Sequence, residues 1–197
     1  MAESRAHEEH EEDLFRADRS VVQVRVVAAT AAHLVEHRDV WRPELAKMKA
    51  LDADWDWLVD FEKVELPAAD WETYAITAGG RVEAIMSLRF GERSRLDRSK
   101  ALVYIDKLAI APWNRPERRE IRGCGAVMVV HAMRRSAARG LGGRVGLHSL
   151  EDPATIAFYA ERIKMKEHGF ELVDGEQLRY FEATEAVATA LLEGRRP

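Results

Sequence analysis

One segment constrains the fold more than any other: a strand, a loop, a glycine turn and a helix follow one another between Ala101 and Arg139. Ala101–Ala111 is rich in apolar, strand-forming residues and ends at Pro112, which predicts a strand. Apolar residues recur at helical spacing over residues 123–139, and the glycines that follow end the predicted helix. This succession favours an α/β fold.

Shorter patterns on both sides of this segment complete a predicted mixed sheet. Gly79-Gly80 joins two strand-like runs and indicates a β-hairpin. Asp152 followed by Pro153 is typical of a helix start, because aspartate caps the first turn and proline suits its first position. The predicted strands are Val21–Val27, Thr73–Ala78, Arg81–Phe90, Arg144–Ser149, Phe170–Val173 and Leu178–Ala183, and the other predicted helices are Ala28–Trp41, Ala46–Phe61, Asp152–Lys166 and Thr184–Glu193.

The N-terminal residues are set apart by their negative charge. Residues 1–19 begin MAESRAHEEHEED, and so acidic a segment buries little apolar surface, which predicts a frayed or helical tail. Residues 20–197 are long enough to form a single domain with its own core. The net charge of −4 argues against a general nucleic-acid binder. Because the sequence has no apolar leader and no membrane-spanning run, we expect a cytoplasmic protein without membrane association.

The cysteine and histidine content bears on metal binding. Cys124 is the single cysteine, so neither an intramolecular disulfide nor a cysteine-based metal cage is expected. His7 and His10 lie three residues apart in the acidic tail, which is not the spacing of a zinc-binding helix. A solvated tail is the favoured interpretation, and we expect no metal site.

The turn that precedes the long predicted helix has the features of an anion site. Arg122-Gly123-Cys124-Gly125-Ala126 opens a helix whose first amides have no partner within the helix and carry partial positive charge. Glycine lets a phosphate approach the backbone closely, because no β-carbon intervenes. Arg118 and Arg119 add positive charge. From these residues alone, the glycines could also serve only a tight loop and close packing of the helix on the sheet.

Four motifs in order give the chain a family resemblance over residues 75–182. They are Leu108-Ala109-Ile110-Ala111-Pro112 at a strand end, Glu120-Ile121-Arg122-Gly123-Cys124-Gly125 opening a helix, Asp152-Pro153-Ala154-Thr155-Ile156-Ala157-Phe158-Tyr159, and Gly169-Phe170. In this succession the chain resembles the GNAT acyltransferase superfamily. It departs at Glu120, where the family prefers Gln or Arg, and in a longer connection from Tyr159 to Gly169.

The resemblance implies a fold, a co-substrate and a reaction. The expected fold is a mixed, mostly antiparallel central sheet flanked by helices. The expected reaction is transfer of the acetyl group of acetyl-CoA to a primary amine of a small molecule or a protein, with the pantetheine arm along Tyr104–Ile110 where that strand splays from Val145–Ser149. The residues expected to bind acetyl-CoA are Leu108, Ala109, Ile110, Arg118, Arg119, Arg122, Gly123, Cys124, Gly125, Ala126 and Asp152.

Three residues are candidates for proton transfer. Tyr159 matches the tyrosine of the family's Phe-Tyr pair and is the candidate acid for the departing thiolate, unless it only closes the core. Asp106 shares a strand face with Tyr104, so its carboxylate would lie among apolar neighbours and serve as base, unless it forms a salt bridge. His148 ends the next strand and could be the base, or a structural histidine.

The acceptor and the class of function stay open at this point. Residues 28–70 hold many acids and would suit a cationic amine, but a solvated acidic helix face explains them as well. A homodimer is also open. A non-catalytic acetyl-CoA-binding or protein-interaction module with the same fold is a second hypothesis. A Rossmann-type nucleotide site is a third, disfavoured because the long loop Pro112–Arg122 separates the strand from the glycines.

Overall fold

The structure is a computed structural model that describes residues 9–59, 70–173 and 175–194. The described chain forms two compact units. The first unit comprises the described residues of Met1–Met86 and Leu108–Met128, and the second comprises those of Ser87–Lys107 and Val129–Pro197. The expectation of a single domain from residue 20 stays a prediction.

The elements follow the α/β succession expected from the sequence. The strands are β1 (His10–Arg16), β2 (Val21–Ala28), β3 (Trp71–Ala78), β4 (Arg81–Arg93), β5 (Ala101–Ile110), β6 (Ile121–Arg122), β7 (Val145–Ser149), β8 (Lys166–Val173) and β9 (Glu176–Ala183). The helices are α1 (Ala31–Glu36), α2 (Arg42–Lys47), α3 (Cys124–Ala138), α4 (Pro153–Ala157) and α5 (Glu185–Leu192), with π-helical segments at His37–Trp41 and Phe158–Arg162 and a 3₁₀ turn at Pro112–Asn114.

The first unit contains strands in the order β6-β1-β2-β3-β4. β1 pairs antiparallel with both β2 and β6, and β2 pairs antiparallel with β3. The alternation of apolar and polar residues explains why Val21–Ala28 forms a strand. Val22, Val24 and Val26 are buried while the residues between them are exposed. The apolar core of the first unit is built from β3, β4, β5 and the first helices, and includes Trp41 and Trp113.

The second unit contains strands in the order β4-β5-β7-β9-β8. β5 and β7 are parallel, whereas β9 pairs antiparallel with β7 and with β8. The parallel register of β5 with β7 ends at the pair Ile105 and Leu147, although β5 continues to Ile110. The predicted mixed, mostly antiparallel sheet flanked by helices is therefore confirmed.

Three local predictions differ from the structure. His10–Arg16 forms β1 instead of a frayed or helical segment, because it pairs with β2 and β6 and buries Leu14 while Glu11 and Asp13 stay exposed. Ala46–Phe61 is not one helix: α2 ends at Lys47 and turns follow, and the end of the predicted helix lies outside the described residues. The helix begun at Asp152 ends near Arg162, so that β8 already begins at Lys166.

The remaining strand and helix predictions are confirmed, including the hairpin at Gly79-Gly80 and the strand over Ala101–Ala111, which ends at Ile110. His7 lies outside the described residues. Of the helices within the described ranges, none combines the length and the apolar character that crossing a bilayer requires.

Candidate functional site

The turn before α3 has the backbone that its glycine predicts. Gly123 has a φ of +101°, a backbone conformation that residues with a side chain rarely adopt. A β-carbon there would lie 3.1 Å from Leu14 Cδ2. The preceding Arg122 pairs with Phe15 of β1, which holds the entry to the turn. α3 begins at Cys124, so the amides of its first turn have no carbonyl partner within the helix and can receive an anion.

A buried carboxylate fixes the loop that leads into this turn. Glu83 is almost completely buried on β4, and its Oε2 accepts hydrogen bonds from Trp113 Nε1 and from Asn114 Nδ2, each at 2.6 Å. Asn114 Oδ1 in turn accepts the backbone N–H of Ile121 at 2.8 Å. A chain of hydrogen bonds therefore runs from the interior of the first unit to the residue before Arg122.

The charged side chains around the turn differ in whether they already have an oppositely charged partner. Glu120, the acid that departs from the family pattern, accepts a hydrogen bond from Arg81 Nη2 at 2.9 Å. Arg118 Nη2 lies 3.2 Å from Glu44 Oε2, so that arginine is already paired. Arg119 and Arg122 are exposed and have no acidic partner in the described ranges. These two are the arginines available to an anion.

Cys124 contributes no nucleophile to the turn. Burial, assisted by the nearby Glu83 carboxylate, raises the pKa of its thiol to about 12. Its Sγ lies 3.9 Å from Asn114 Nδ2. A protonated, buried thiol is unreactive, which agrees with reading Cys124 as a small residue within the turn.

The strand end that precedes the loop belongs to the same unit. Ala109 is buried, whereas Leu108 and Ile110 are half-buried. The carbonyl of Ile110 accepts a hydrogen bond from Arg115 Nε at 3.2 Å, and Arg115 Nη2 lies 2.5 Å from Asp52 Oδ2. The backbone that is expected to lie beside the pantetheine is thus held by one arginine.

A second group of polar side chains lies in the second unit. Tyr104 Oη is 2.6 Å from His148 Nδ1, and His148 Nε2 is 3.1 Å from Glu171 Oε2. Arg95 Nε donates to Glu171 Oε1 at 3.2 Å. β5, β7 and β8 thus place a hydroxyl, an imidazole and a carboxylate in one line, at the point where the β5–β7 register ends.

The titration properties of this line follow from its burial. Burial lowers the pKa of His148 below its ordinary value, although the hydrogen bond to Glu171 opposes that shift. Burial also raises the pKa of Tyr104 to about 12. For Glu171, burial acts to raise the pKa, but the hydrogen bond and charge of Arg95 outweigh it and lower the pKa. A neutral imidazole between a protonated phenol and a carboxylate is the resulting state.

Asp106 is half-buried, and a cation lies near it. Arg89 Nη1 is 4.0 Å from its Oδ1, and the same guanidinium lies 4.9 Å from the centre of the Tyr104 ring. Asp106 is therefore not surrounded by apolar groups alone, as the sequence suggested. It is the first residue of β5 beyond the last pair with β7.

Tyr159 lies in the π-helical segment Phe158–Arg162 of the second unit and is 7% exposed. Its ring packs against Phe158 and Phe181, with centroids 5.0 and 5.8 Å away. Burial raises the pKa of its hydroxyl, which has no hydrogen-bond partner among the described residues. It therefore combines the packing of a core residue with a hydroxyl that is free to donate.

Asp152 acts as the cap of α4, as its position before Pro153 predicted. Its Oδ2 accepts the backbone N–H of Thr155 at 2.7 Å and the hydroxyl of Thr155 at 2.8 Å. Its predicted contact with acetyl-CoA stays a prediction.

Sequence reasoning missed the partners of the candidates. Tyr104 was placed on the face of Asp106 but given no role, and Glu171 and Arg95 were not considered. Their positions are far apart along the chain, so no local spacing reveals them. Glu83 was not among the three candidates, and it lies in a run of β4 that is buried without alternation, Val82–Leu88.

Comparisons with known proteins give similarity in structure only. No protein-family model matches the chain, and no curated protein matches it in sequence. The spermidine N-acetyltransferase SpeG chimera from Vibrio cholerae and hSSAT is 14% identical, with a TM-score of 0.58, covering 84% of this chain and 98% of that one.

Two further solved structures give the same result. Arabidopsis thaliana NAA60 in complex with acetyl-CoA is 15% identical, with a TM-score of 0.52, covering 81% of this chain and 96% of that one. The GNAT domain of S. lividans PAT is 14% identical, with a TM-score of 0.55, covering 88% of this chain and 96% of that one. At this identity the likeness concerns the fold.

Proposed function

We propose that this chain, which has the fold of the GNAT N-acetyltransferases, transfers the acetyl group of acetyl-CoA directly to a primary amine of a small molecule or a protein. The structural neighbours with this fold include N-acetyltransferases and a complex with acetyl-CoA, which supports acetyl transfer as the reaction class.

The start of α3 is the observation that carries the proposal. It combines free amides in the first helical turn, a glycine whose φ suits close backbone approach, and two arginines without acidic partners in the described ranges. The acid in the motif, Glu120, is paired with Arg81, so its charge is partly neutralised. These groups fit the diphosphate of coenzyme A, and Gly123, Cys124, Gly125, Ala126, Arg119 and Arg122 are the residues proposed to hold it.

Residues on β5 and β7 and in the segment Phe158–Arg162 are proposed for the proton transfers that the reaction needs. A neutral amine attacks the thioester carbonyl directly, so no protein nucleophile is required, which agrees with the inert Cys124. We assign Tyr159 as the acid that protonates the departing thiolate. Its hydroxyl carries a proton at neutral pH and has no competing described partner. The base is drawn from the group around His148 and Asp106.

Calorimetric titration with acetyl-CoA tests the binding step. Arg122→Ala is expected to weaken binding by about 10- to 150-fold, since a hydrogen bond to a charged group contributes about 1.5–3 kcal/mol. Gly125→Glu is expected to abolish binding while leaving the fold intact, because a carboxylate would enter the diphosphate space. Arg98→Ala is the matched control, since Arg98 is exposed on the loop after β4 and no contact of it enters the proposal. Equal affinities in all four proteins would show that the diphosphate binds elsewhere.

Thiol release with a panel of amines tests catalysis. We expect free coenzyme A to appear in proportion to acetylated amine, with small diamines and peptide N-termini as the first members of the panel. Tight binding of acetyl-CoA without thiol release for any amine would favour the non-catalytic module.

A further inference from the structure

Tyr104, His148 and Glu171 form a line of hydrogen-bonded side chains. All three side chains belong to the second unit, and each comes from a different strand. A hydroxyl 2.6 Å from one imidazole nitrogen, with a carboxylate 3.1 Å from the other, is the arrangement in which a histidine withdraws a proton from a hydroxyl.

His148 has no ring nitrogen left for a substrate. Nδ1 faces the Tyr104 hydroxyl and Nε2 faces Glu171, and its side chain is only 6% exposed. The Tyr180 ring also covers it, with centroids 5.0 Å apart. A base must contact the proton that it removes, so His148 can act only through Tyr104.

The hydrogen bonds define where the protons lie. Glu171 is held ionised by Arg95 Nε at 3.2 Å and can only accept, so Nε2 of His148 carries the ring proton. Nδ1 is then the acceptor, and the Tyr104 hydroxyl donates to it. The Arg89 guanidinium, 4.9 Å from the centre of the Tyr104 ring, favours negative charge on that phenol.

We propose that Tyr104 is the catalytic residue that removes the acceptor's proton, with His148 and Glu171 as positioning residues that receive and stabilise the displaced proton. This proposal rests on the proposed acetyl transfer and names the base for it. It differs from the sequence-based assignment, in which Asp106 or His148 contacted the amine.

The amine nitrogen forms a bond to the acetyl carbon, and the carbon–sulfur bond breaks with its electron pair leaving on sulfur. The proton on nitrogen passes to Tyr104 Oη while the phenol proton passes to His148 Nδ1. The resulting imidazolium donates from Nε2 to Glu171. The thiolate takes a proton from Tyr159. Solvent then returns a proton to Tyr159 and removes one from the His148 imidazolium, which restores the starting state.

Asp106 is the competing base, and the structure disfavours it. Arg89 Nη1 lies 4.0 Å from its Oδ1, so this carboxylate already faces a cation, whereas the Tyr104 hydroxyl faces His148, which can take its proton on. Tyr104 and Asp106 lie on the same strand face, so substitutions at the two positions form a direct comparison.

Steady-state kinetics from pH 5 to 9 with Tyr104→Phe, His148→Gln and Asp106→Asn test the proposal. Tyr104→Phe is expected to lower kcat by about 10²-fold or more, as for loss of a general base, with an unchanged Kd for acetyl-CoA. In the pH–rate profile of the wild type, the rate is expected to fall at acidic pH as His148 is protonated. This acidic limb is expected to disappear in Tyr104→Phe. The Tyr104→Phe/His148→Gln double variant is expected to be no slower than either single variant, because the two residues act as one unit.

The matched control is Tyr180→Phe. Tyr180 contacts the same imidazole, but its hydroxyl donates to Glu182 at 3.1 Å, so its removal is expected to leave the acidic limb in place. If Tyr104→Phe does not fold, His148→Gln with intact folding carries the same test. The assignment would be overturned if the wild type were active and Tyr104→Phe kept both its acidic limb and a rate within threefold of the wild type. Loss of the acidic limb in Asp106→Asn instead would identify Asp106 as the base. A wild type that acetylates no amine would overturn the proposed function and this assignment together.

Discussion

Replacing Glu83 with glutamine removes a negative charge from the interior of the first unit. The carboxylate is 1% exposed and accepts three hydrogen bonds, from Trp113 Nε1 and Asn114 Nδ2 at 2.6 Å each and from Arg81 Nε at 3.0 Å. The amide group of glutamine must face one of these donors with its own donor. One charged hydrogen bond is lost, at about 1.5–3 kcal/mol, and one donor is left unpaired, at about 1–3 kcal/mol.

We therefore expect Glu83→Gln to lower the free energy of unfolding by about 3–5 kcal/mol, close to the cost of breaking other buried ion pairs. For a chain of this length each kcal/mol corresponds to about 2–4 °C, so the midpoint of thermal unfolding is expected to fall by about 6 °C or more. Urea unfolding at pH 7.5 measures the free energy directly.

Glu120→Gln is the control for this prediction, because Glu120 pairs with the same Arg81 but is 46% exposed. An exposed pair contributes about 0–1 kcal/mol, so this variant is expected to stay near the wild type. Because Asn114 links Glu83 to Ile121, Glu83→Gln is also expected to weaken acetyl-CoA binding. Equal stability of the two variants would refute the reasoning that Glu83 anchors the turn.

Two further predictions concern buried titratable groups. Burial lowers the pKa of His37 to about 4, so the native state resists its protonation and stability is lost as pH falls from about 6.5 toward 4, by about 3 kcal/mol. His37→Gln is expected to flatten that part of the urea-unfolding profile, and an unchanged profile would contradict the assignment. Because the pKa of Cys124 is raised to about 12, the native chain is expected to leave Ellman's reagent unreacted at pH 8 and to react with one equivalent in urea. Rapid reaction of the native chain would show that Cys124 is accessible.

The elements that the sequence predicted best are those with a strong local signal. The strand over Ala101–Ala111, the Gly79-Gly80 hairpin and the Asp152 cap each depend on neighbours along the chain, and each is present. Strand β1 was missed because its stability comes from pairing with β2 and β6, which its acidic composition conceals. The predicted helix over Ala46–Phe61 relied on helical spacing alone, and tertiary packing overrode it.

The candidate site was predictable only in part, for the same reason. Gly123 and Gly125 are separated only by Cys124 in the sequence, so the turn could be predicted from the sequence directly. The partners of His148 are 44 and 23 residues away, and only the fold brings them together. The sequence likewise could not show that Arg81 pairs with Glu120, 39 residues distant.

A crystal structure of the chain with coenzyme A would test the central claim most directly. We expect the diphosphate oxygens to lie about 3 Å from the amides of Gly125 and Ala126, with Arg122 turned toward them. A diphosphate bound elsewhere, with the first turn of α3 in contact with no anion, would contradict the account.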